Sequence, residues 1–324
     1  MTAEANKEAV LVTGGAGFIG SHTCEALIAN GESVICLDNF NDYYPSGFKE
    51  RNIQTLARSP LFHLVRGDIT DGAMLSKLFE MRPIRAIIHL AAMAGVRYSI
   101  EAPLLYATNN INGTIALLET AHRYGIQRFV FGSSSSVYGE NKKAPFCEED
   151  LLEGQVSPYG ASKRAGELFA HVYHKIYGIQ VACLRFFTVY GPRGRPDMAP
   201  YKFVHRISQG QPIQLYGDGN SERDYTYISD IVAGIMAALE APLGFEIINL
   251  GNSRPILLSR FIEIIEECLG KKAVIERQPL PPGDVPRTFA KIDKAKRFLG
   301  YEARVPIEEG LSYWVRWYQE NIAQ

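Results

Sequence analysis

Three glycines near the start of the chain constrain its fold more than any other feature. Gly14, Gly17 and Gly20 stand three residues apart, directly after the apolar run Ala9–Thr13 and at the start of a helical pattern. Glycines let a backbone turn approach a diphosphate closely, and the free N–H groups of a helix N-terminus attract its negative charge. Strand, glycine turn and helix together therefore predict a dinucleotide-binding site. A purely structural strand-to-helix turn is the alternative.

The rest of the first two-thirds of the chain alternates short apolar runs with helical patterns. Continuous apolar strands separated by helices indicate a parallel sheet that is covered on both faces. We therefore predict an α/β fold with a doubly wound parallel sheet. The further predicted strands are Ser33–Leu37, Phe62–Val65, Ala86–Leu90, Arg128–Phe131 and Val181–Phe187.

The composition of the chain changes at about residue 188, where glycine and proline become frequent, and this predicts a domain boundary. Glycine and proline cluster in the segments 190–200 and 278–286. We predict a dinucleotide-binding domain over residues 1–187 and a smaller α/β substrate domain over residues 188–324. The segment 225–250 is expected to return to the first domain, because Glu246–Leu250 has the character of another sheet strand.

Charge, hydropathy and cysteine usage argue against several classes of protein. The net charge is -1 without a basic stripe, so no nucleic-acid partner is expected. No run of about 18 apolar residues occurs, so we expect no membrane span and a cytoplasmic location. The five cysteines are scattered without a C-x-x-C pair, which predicts free thiols. His171 and His174 lack an acidic or cysteine partner that would complete a ligand set, so no metal is expected.

Acidic residues at two strand ends predict how the adenosine half of a dinucleotide is held. Asp38 ends the second predicted strand, 18 residues after Gly20. A carboxylate there accepts hydrogen bonds from both ribose hydroxyls and repels a 2′-phosphate, so the predicted cofactor is NAD rather than NADP. Asp68, beside Ile69, follows the third strand and is predicted to hold the adenine amino group. A strand-end cap is the alternative for Asp68.

A tyrosine and a lysine four residues apart, Tyr159 and Lys163, form the predicted catalytic pair. On a helix they share one face, where the lysine charge and the nicotinamide of NAD⁺ both favour the phenolate. Such a tyrosine can take a proton from a hydroxyl as hydride leaves its carbon. Upstream, a predicted strand runs into the serine cluster 133–136, at the edge where ligands bind in such sheets. One of these hydroxyls is predicted to hydrogen-bond the reacting oxygen; a polar turn is the alternative.

Six features in this order resemble the extended short-chain dehydrogenase/reductase superfamily, the group of nucleotide-sugar epimerases and dehydratases. They are GGAGFIG at 14–20, Asp38, NNINGT at 109–114, SSSSVYG at 133–139, YGASK at 159–163 and RDYTYISD at 223–230. The resemblance covers essentially the whole chain. It implies a Rossmann domain that binds NAD and a C-terminal domain for a nucleotide diphosphate sugar. It also implies a homodimer, formed by helices near Pro103–Arg123 and Ser157–Tyr177.

The resemblance assigns roles to residues of the first domain. The implied catalytic residues are Ser134, Tyr159 and Lys163, and Asn109 is implied to support the active site from its helix. Small side chains after the fourth strand suit close passage of the cofactor. The predicted cofactor contacts are Gly14, Gly17, Phe18, Ile19, Gly20, Asp38, Asp68, Ile69, Leu90, Ala91, Ala92, Asn109, Tyr159 and Lys163.

Further residues are predicted to bind the nucleotide sugar. By the same resemblance Arg223 meets a phosphate and Asp284 a ribose. Guanidinium groups suit diphosphate oxygens, so Arg193 and Arg195 are also candidates, with a solvated surface charge as the alternative. Tyr216 is predicted to pack on a uracil ring, with core packing as the alternative. The predicted substrate contacts are Arg97, Ser135, Ser136, Thr188, Arg195, Tyr216, Arg223 and Asp284.

The serine cluster also indicates which reaction the chain catalyses, since members of this superfamily share oxidation of the sugar at C4 and differ in the later steps. Dehydratases of the group carry Asp-Glu after their catalytic threonine, where this chain has Ser135 and Ser136. Decarboxylases of the group place a Glu in this segment, and no Glu occurs between Ser133 and Tyr138. The predicted reaction is therefore NAD-dependent 4-epimerisation of a UDP-sugar.

Two segments, 184–198 and 94–99, are most similar to those of UDP-glucuronate 4-epimerases. They predict the interconversion of UDP-glucuronate and UDP-galacturonate. Arg97 and Arg195 are candidate ion partners of the sugar carboxylate, with the diphosphate as their alternative partner. The hydroxyls predicted to hold the carboxylate are those of Ser135, Ser136 and Thr188.

Three other functions stay open on the sequence. One is a 4-epimerase of the neutral sugars UDP-glucose or UDP-N-acetylglucosamine. Another is a UDP-glucuronate decarboxylase. The third is a non-catalytic NAD-sensing protein on the same fold, since fold alone does not determine function. The intact pair Tyr159 and Lys163 argues against this last alternative.

Overall fold

The computed structural model describes residues 8–279 and 287–322 of the chain. Its strands, in chain order, are β1 (Ala9–Thr13), β2 (Ser33–Asp38), β3 (Phe62–Arg66), β4 (Ile84–His89), β5 (Arg128–Ser134), β6 (Gln180–Phe186), β7 (Thr188–Tyr190), β8 (Ile213–Tyr216), β9 (Glu222–Tyr227), β10 (Phe245–Leu250), β11 (Pro255–Leu257), β12 (Ile275–Gln278) and β13 (Arg287–Thr288). Its α-helices are α1 (Phe18–Ala29), α2 (Gly47–Ile53), α3 (Gly72–Met81), α4 (Val96–Glu101), α5 (Pro103–Tyr106), α6 (Gly113–Arg123), α7 (Pro158–Tyr177), α8 (Ala199–Ser208), α9 (Ile228–Glu240), α10 (Leu258–Leu269), α11 (Asp293–Leu299) and α12 (Ile307–Asn321). A π-helical turn, Ala107–Asn112, joins α5 to α6.

Seven strands form one sheet in the order β3-β2-β1-β4-β5-β6-β10, and each neighbouring pair is parallel. β1 and β2 are buried along their whole length, because helices cover both faces of the sheet. The strand order reverses between β1 and β4. In a doubly wound sheet such a switch point opens a crevice at the carboxyl ends of the strands. The predicted doubly wound parallel sheet is confirmed.

A second lobe is built from the chain that follows β6. β9 lies at its centre and pairs with β7, β11 and β13, while β8 pairs with β12. Its core contains Phe261, Trp314 and Tyr318 from α10 and α12. From β9 the chain returns through α9, which packs against α1, and β10 joins the main sheet beside β6. This path places Glu246–Leu250 in the main sheet, while β9 itself stays in the second lobe.

Two apolar clusters pack on the two faces of the main sheet. The pair His171 and His174 belongs to this packing, because both rings lie against Phe245. In the described part of the chain, none of the helices combines the length and the apolar character that a bilayer crossing requires. The cytoplasmic location stays a prediction.

Candidate active site

A cavity of about 390 Å³ lies at the carboxyl ends of β1, β2, β4, β5 and β6, between the main sheet and the second lobe. The strand order brings the predicted residues here from positions that are far apart in the chain. Those that line the cavity are Gly14, Gly17, Phe18, Ile19, Gly20, Asp38, Ile69, Leu90, Ala91, Ala92, Asn109, Ser134, Ser135, Ser136, Tyr159, Lys163, Thr188 and Arg195. The predicted catalytic pair and the glycine turn therefore share one cavity.

The glycine turn is packed too tightly for side chains. Gly14 has φ +68°, and a Cβ there would lie 2.8 Å from the backbone nitrogen of Ala91. A Cβ on Gly20 would overlap the carbonyl oxygen of Gly14. Gly17 is the N-cap of α1 and provides no side-chain cap, so N–H groups of the first turn are left for a ligand. This arrangement fits a pyrophosphate at the start of α1.

Asp38 is buried at the end of β2 and already has three donors. Its carboxylate accepts hydrogen bonds from the backbone nitrogens of Ala16 at 3.2 Å and Phe40 at 2.9 Å. It also forms a buried ion pair with Lys49, at 2.9 Å. Two oxygens offer about four acceptor sites, so capacity for a ribose hydroxyl remains. Lys49 was missed by the sequence reasoning, since no helical or strand period connects it to Asp38.

Asp68 does not line the cavity in the described part of the chain, although Gly67 and Ile69 do. Its carboxylate accepts hydrogen bonds from Thr70 at 2.9 Å and 2.7 Å and from Asn39 at 2.8 Å. Partial burial alone would raise the pKa of Asp68, but these hydrogen bonds outweigh it and lower the pKa. The geometry favours the strand-end cap, and the adenine contact stays a prediction.

The start of α7 positions the catalytic pair. Ser157 caps this helix by accepting a hydrogen bond from the Gly160 nitrogen at 3.0 Å, and Pro158 occupies its first turn. Tyr159 therefore lies in the first turn, and Lys163 one turn later on the same face. The Lys163 ammonium is buried and donates to the carbonyl oxygen of Gly132 at 2.7 Å.

Burial acts on both members of the pair. It lowers the pKa of Lys163 to about 8, against the charge of Glu167, which raises it. It also raises the pKa of the partly buried Tyr159, while a hydrogen bond with Ser134 and the charge of Arg195 act in the lowering direction. Both shifts disfavour the charged forms of the two side chains.

The serine cluster begins inside β5 and ends in a 3₁₀ turn, residues 135–138. Ser133 borders the cavity, but its hydroxyl donates to the buried carboxylate of Glu167 at 2.7 Å and so cannot donate to a ligand at the same time. The Ser134 hydroxyl accepts from the Ser136 nitrogen and donates to the Ser136 hydroxyl, both at 3.2 Å. Ser134 is thereby oriented at the strand end, where it also meets Tyr159.

The support implied for Asn109 is made by its neighbour in this structure. The side chain of Asn109 lines the cavity but donates to Leu105 of its own helix, at 2.9 Å. Asn110 is buried, accepts from the Met93 nitrogen at 2.8 Å, and donates to the Met93 oxygen and the Ser162 hydroxyl, both at 2.9 Å. It thus ties the loop after β4 to the catalytic helix. Both asparagines lie in the π-helical turn, a feature that is common at functional sites, and Asn110 is the buried one.

Buried His89 extends this network, and its hydrogen-bond partners show which ring nitrogen carries the proton. Thr114 donates to the Asn110 oxygen at 2.6 Å, so it must accept from the Nε2–H of His89, at 2.9 Å. The Nδ1 of His89 then accepts from the Thr13 hydroxyl at 2.7 Å. Burial, aided by the charge of Lys163, lowers the pKa of His89 to about 3. His89 is therefore neutral and acts as a hydrogen-bonded spacer between β1 and α6.

The predicted substrate residues fall into two groups. Arg195 lines the cavity and holds Asp197 with two hydrogen bonds, at 3.0 Å and 2.5 Å. Arg97 and Tyr216 come from different lobes and meet in a cation–π contact, with the guanidinium carbon 4.2 Å from the ring centre. Arg223 lies on β9 and donates to the Glu222 oxygen at 3.0 Å.

These last three residues are not among the described residues that line the cavity. Asp284 lies outside the described residues. The substrate contacts assigned to these four residues therefore stay predictions from the sequence.

Comparisons with known proteins place the chain in a family. A model of the NAD dependent epimerase/dehydratase family matches residues 10–251. The chain is similar to UDP-glucuronate 4-epimerase of Thermodesulfobacterium geofontis, with 44% identity over 313 residues and 96% of each chain covered. It is also similar to the structure of UDP-glucuronic acid 4-epimerase from Bacillus cereus in complex with UDP-glucuronic acid and NAD. That match has a TM-score of 0.91 and 39% identity, and covers 96% of this chain and 99% of that one.

UDP-glucose 4-epimerase of Thermotoga maritima, solved with UDP-glucose, matches with a TM-score of 0.90 and 33% identity, over 97% of this chain and 99% of that one. The predicted resemblance to nucleotide-sugar epimerases is confirmed by these matches. The family model spans well over half of the chain. The NAD that the family uses fits the cavity, which contains both a glycine turn and the strand-end carboxylate of Asp38. The chain belongs to the NAD-dependent epimerase/dehydratase family.

Proposed function

We propose that this chain is an isomerase, an NAD-dependent UDP-sugar 4-epimerase whose substrates are UDP-glucuronate and UDP-galacturonate. The observation that carries the proposal is one cavity shared by the glycine turn, the pair Tyr159 and Lys163, and the serine cluster. The relatives named as UDP-glucuronate 4-epimerases support the choice of sugar. Bound NAD supplies the acceptor, and later the donor, of the hydrogen at C4.

Tyr159 and Ser134 hold the C4 oxygen and move its proton. Burial keeps the pKa of Tyr159 above its ordinary value, although the hydrogen bond with Ser134 and the charge of Arg195 act in the lowering direction, so the phenol is protonated before the cofactor binds. A positive charge beside the ring favours the phenolate; Arg195 provides one, and we assign Lys163 and the nicotinamide of bound NAD⁺ as further sources. The base therefore forms in the loaded enzyme, and Ser134 steadies the same oxygen by a hydrogen bond. Lys163 is fixed for this task by its bond to Gly132.

Three hydroxyls, those of Ser135, Ser136 and Thr188, bind the carboxylate of the sugar. All three border the cavity together with the catalytic pair. Oxidation at C4 produces a β-keto acid, which loses CO2 most readily when the C5–C6 bond stands perpendicular to the carbonyl plane. Hydroxyls that keep this bond near the plane protect the intermediate, at about 1.5–3 kcal/mol for each hydrogen bond to a charged group. Segment 133–138 offers no carboxylate that would assist the loss.

We assign the rest of the nucleotide chiefly to the second lobe, with residues 188–324 as the proposed substrate domain, interleaved with the first domain through α9 and β10. Arg195 already borders the cavity, and its guanidinium suits the diphosphate. We assign Arg97 and Arg223 to phosphate oxygens, Tyr216 to the uracil ring and Asp284 to the ribose. These assignments rest on the resemblance and on the position of the described residues near the lobe boundary.

A 4-epimerase of neutral UDP-sugars is the second candidate, because one observation favours it. The Arg195 guanidinium is neutralised by Asp197, at 3.0 Å and 2.5 Å. The hydroxyls of Ser135, Ser136 and Thr188 accept a neutral C6 hydroxyl as readily as they donate to a carboxylate.

NMR of the products distinguishes the candidates. The protein is incubated separately with UDP-glucuronate, UDP-glucose and UDP-N-acetylglucosamine, without added NAD. We expect UDP-galacturonate to accumulate toward equilibrium and UDP-pentoses to stay at trace level. A dominant pentose would make the enzyme a decarboxylase, and turnover confined to the neutral sugars would refute the carboxylate role. Thr188→Val should raise the pentose fraction or weaken UDP-glucuronate binding, while the matched control Thr188→Ser keeps the hydroxyl.

A homodimer is the proposed assembly. An apolar stripe on α7 is exposed, with Leu168 51%, Val172 43% and Ile176 65% accessible. On the adjacent α5, Leu104 is 81% accessible. Apolar side chains grouped in this way on a soluble fold indicate a protein interface, and α5 and α7 are the helices that the resemblance assigns to it.

A further inference from the structure

The segment between β2 and α2, residues 39–46, crosses from the cofactor half of the cavity to the second lobe. We call it the strap. Asn39, Asn41, Tyr43 and Tyr44 from this segment border the same cavity as the glycine turn. A dinucleotide held between that turn and Asp38 therefore has the strap as part of its enclosure.

Both ends of the strap are fixed to each other. Asp38 precedes it and Lys49 follows it, and the two form the buried ion pair at 2.9 Å. Inside the strap, Phe40 adopts φ +49°, a conformation that side chains rarely adopt, and its nitrogen donates to Asp38. The strap is thus a closed loop with a rigid base rather than a free connection.

The tip of the strap is fastened to the second lobe. The Tyr43 hydroxyl donates to the Asp197 carboxylate at 3.2 Å. The same carboxylate holds Arg195, whose guanidinium carbon lies 5.4 Å from the centre of the Tyr43 ring. The acceptor is charged, but at 3.2 Å the bond is longer than a typical charge-assisted one, so we give it the strength of an ordinary hydrogen bond. The contact therefore joins the cofactor side of the cavity to an arginine on its substrate side.

We propose that the strap retains the bound dinucleotide and that Tyr43, through its hydrogen bond to Asp197, is the latch that keeps it closed. An epimerase must return the hydrogen that it removed, so early release of the reduced cofactor would strand the ketone. Tyr43 is a positioning residue, since it acts through the strap and Arg195 rather than on the reacting atoms. The inference depends on NAD binding and not on which UDP-sugar is the substrate.

The release rate of NAD from the purified holoenzyme tests the latch. The enzyme is loaded with NAD carrying a radiolabel, mixed with excess unlabelled NAD and passed through rapid desalting columns at increasing times. Tyr43→Phe should release the label about fivefold to tenfold faster than the wild type, the effect of losing one hydrogen bond of ordinary strength. With saturating NAD present, its melting temperature should change little and its kcat should be restored.

Tyr44→Phe is the matched control, because the Tyr44 hydroxyl makes no hydrogen bond within the described residues. This variant should release NAD within about twofold of the wild-type rate, since it loses no bond. If Tyr43→Phe holds NAD as long as the wild type, or if both variants release it equally fast, the latch is refuted. Asp197→Asn is the second variant and weakens the same contact from the second lobe. If this variant releases NAD at the wild-type rate, the proposal is also overturned. The NAD-release measurements require no sugar, so failure here is distinguishable from failure of the proposed function.

Discussion

Asp38→Asn is the substitution that most sharply tests the cofactor half of the site. Asp38 and Lys49 are buried, with 4% and 7% of their side chains accessible, and lie 2.9 Å apart. The amide keeps the shape of the carboxylate but leaves the Lys49 ammonium buried without a counter-charge. Breaking a buried ion pair in this way costs about 3–5 kcal/mol of the free energy of unfolding. The lost hydrogen bond from the Ala16 nitrogen adds about 1 kcal/mol.

The double variant Asp38→Asn with Lys49→Met separates these contributions. It removes both charges, and replacing a buried pair with neutral groups is often close to neutral in stability. We therefore expect the double variant to lose only about 1–2 kcal/mol, less than either single variant. Guanidinium chloride unfolding at several NAD concentrations measures the cycle, because the contribution of bound NAD can then be subtracted. If the losses of the two single variants add up, so that the double variant has the lowest free energy of unfolding, Asp38 and Lys49 are not coupled and the reasoning is refuted.

The same variants change cofactor choice. Asp38→Asn removes the carboxylate that repels a 2′-phosphate and leaves a free ammonium beside it. Its affinity for NADP relative to NAD should rise by about tenfold or more, roughly the effect of one charged contact. The double variant lacks that ammonium and should gain less. If neither variant binds NADP better than the wild type does, Asp38 does not select the cofactor.

The catalytic pair and the exposed apolar stripe allow three further tests. Tyr159→Phe should lose turnover by orders of magnitude while its NAD content and melting temperature stay near wild type; normal turnover would remove Tyr159 from the mechanism. The pKa of Lys163 is about 8 in the folded protein, below its ordinary 10.5, so between pH 8 and 10.5 the unfolded chain binds more protons than the folded one. The free energy of unfolding therefore rises with pH over this range, by about 3 kcal/mol. Lys163→Met should lack that rise in pH-dependent unfolding, and an identical rise would contradict the buried ammonium. Leu168→Glu combined with Ile176→Glu should give a monomer by light scattering, whereas an intact dimer would place the interface elsewhere.

The main sheet could be predicted because its strands are buried on both faces and form continuous apolar runs in the sequence. The predicted ends differ from the observed ones by up to three residues, most at Arg128–Phe131, which extends to Ser134. The extension places serines inside a buried strand. Ser133 is accommodated there because Glu167 accepts its hydroxyl at 2.7 Å, a partner 34 positions away that no local pattern reveals.

Side-chain partnerships across the fold are the part that the sequence did not reveal. The ion pair of Asp38 with Lys49, and the bond of Tyr43 to Asp197 across 154 positions, depend on loops with no regular period. The role of Asn110 was missed, because no local pattern shows which of two adjacent asparagines is buried. Asn109 borders the cavity, and its predicted cofactor contact stays a prediction.

The central claim is that one retained cofactor removes the hydrogen at C4 of UDP-glucuronate and returns it to the same carbon. Substrate with deuterium at C4, incubated in ordinary water without added NAD, tests this by NMR of the mixture at equilibrium. The account predicts UDP-galacturonate that keeps its deuterium at C4, with no label in the solvent and only traces of pentose. Deuterium lost to water would show that the hydrogen leaves as a proton, and this would contradict the account.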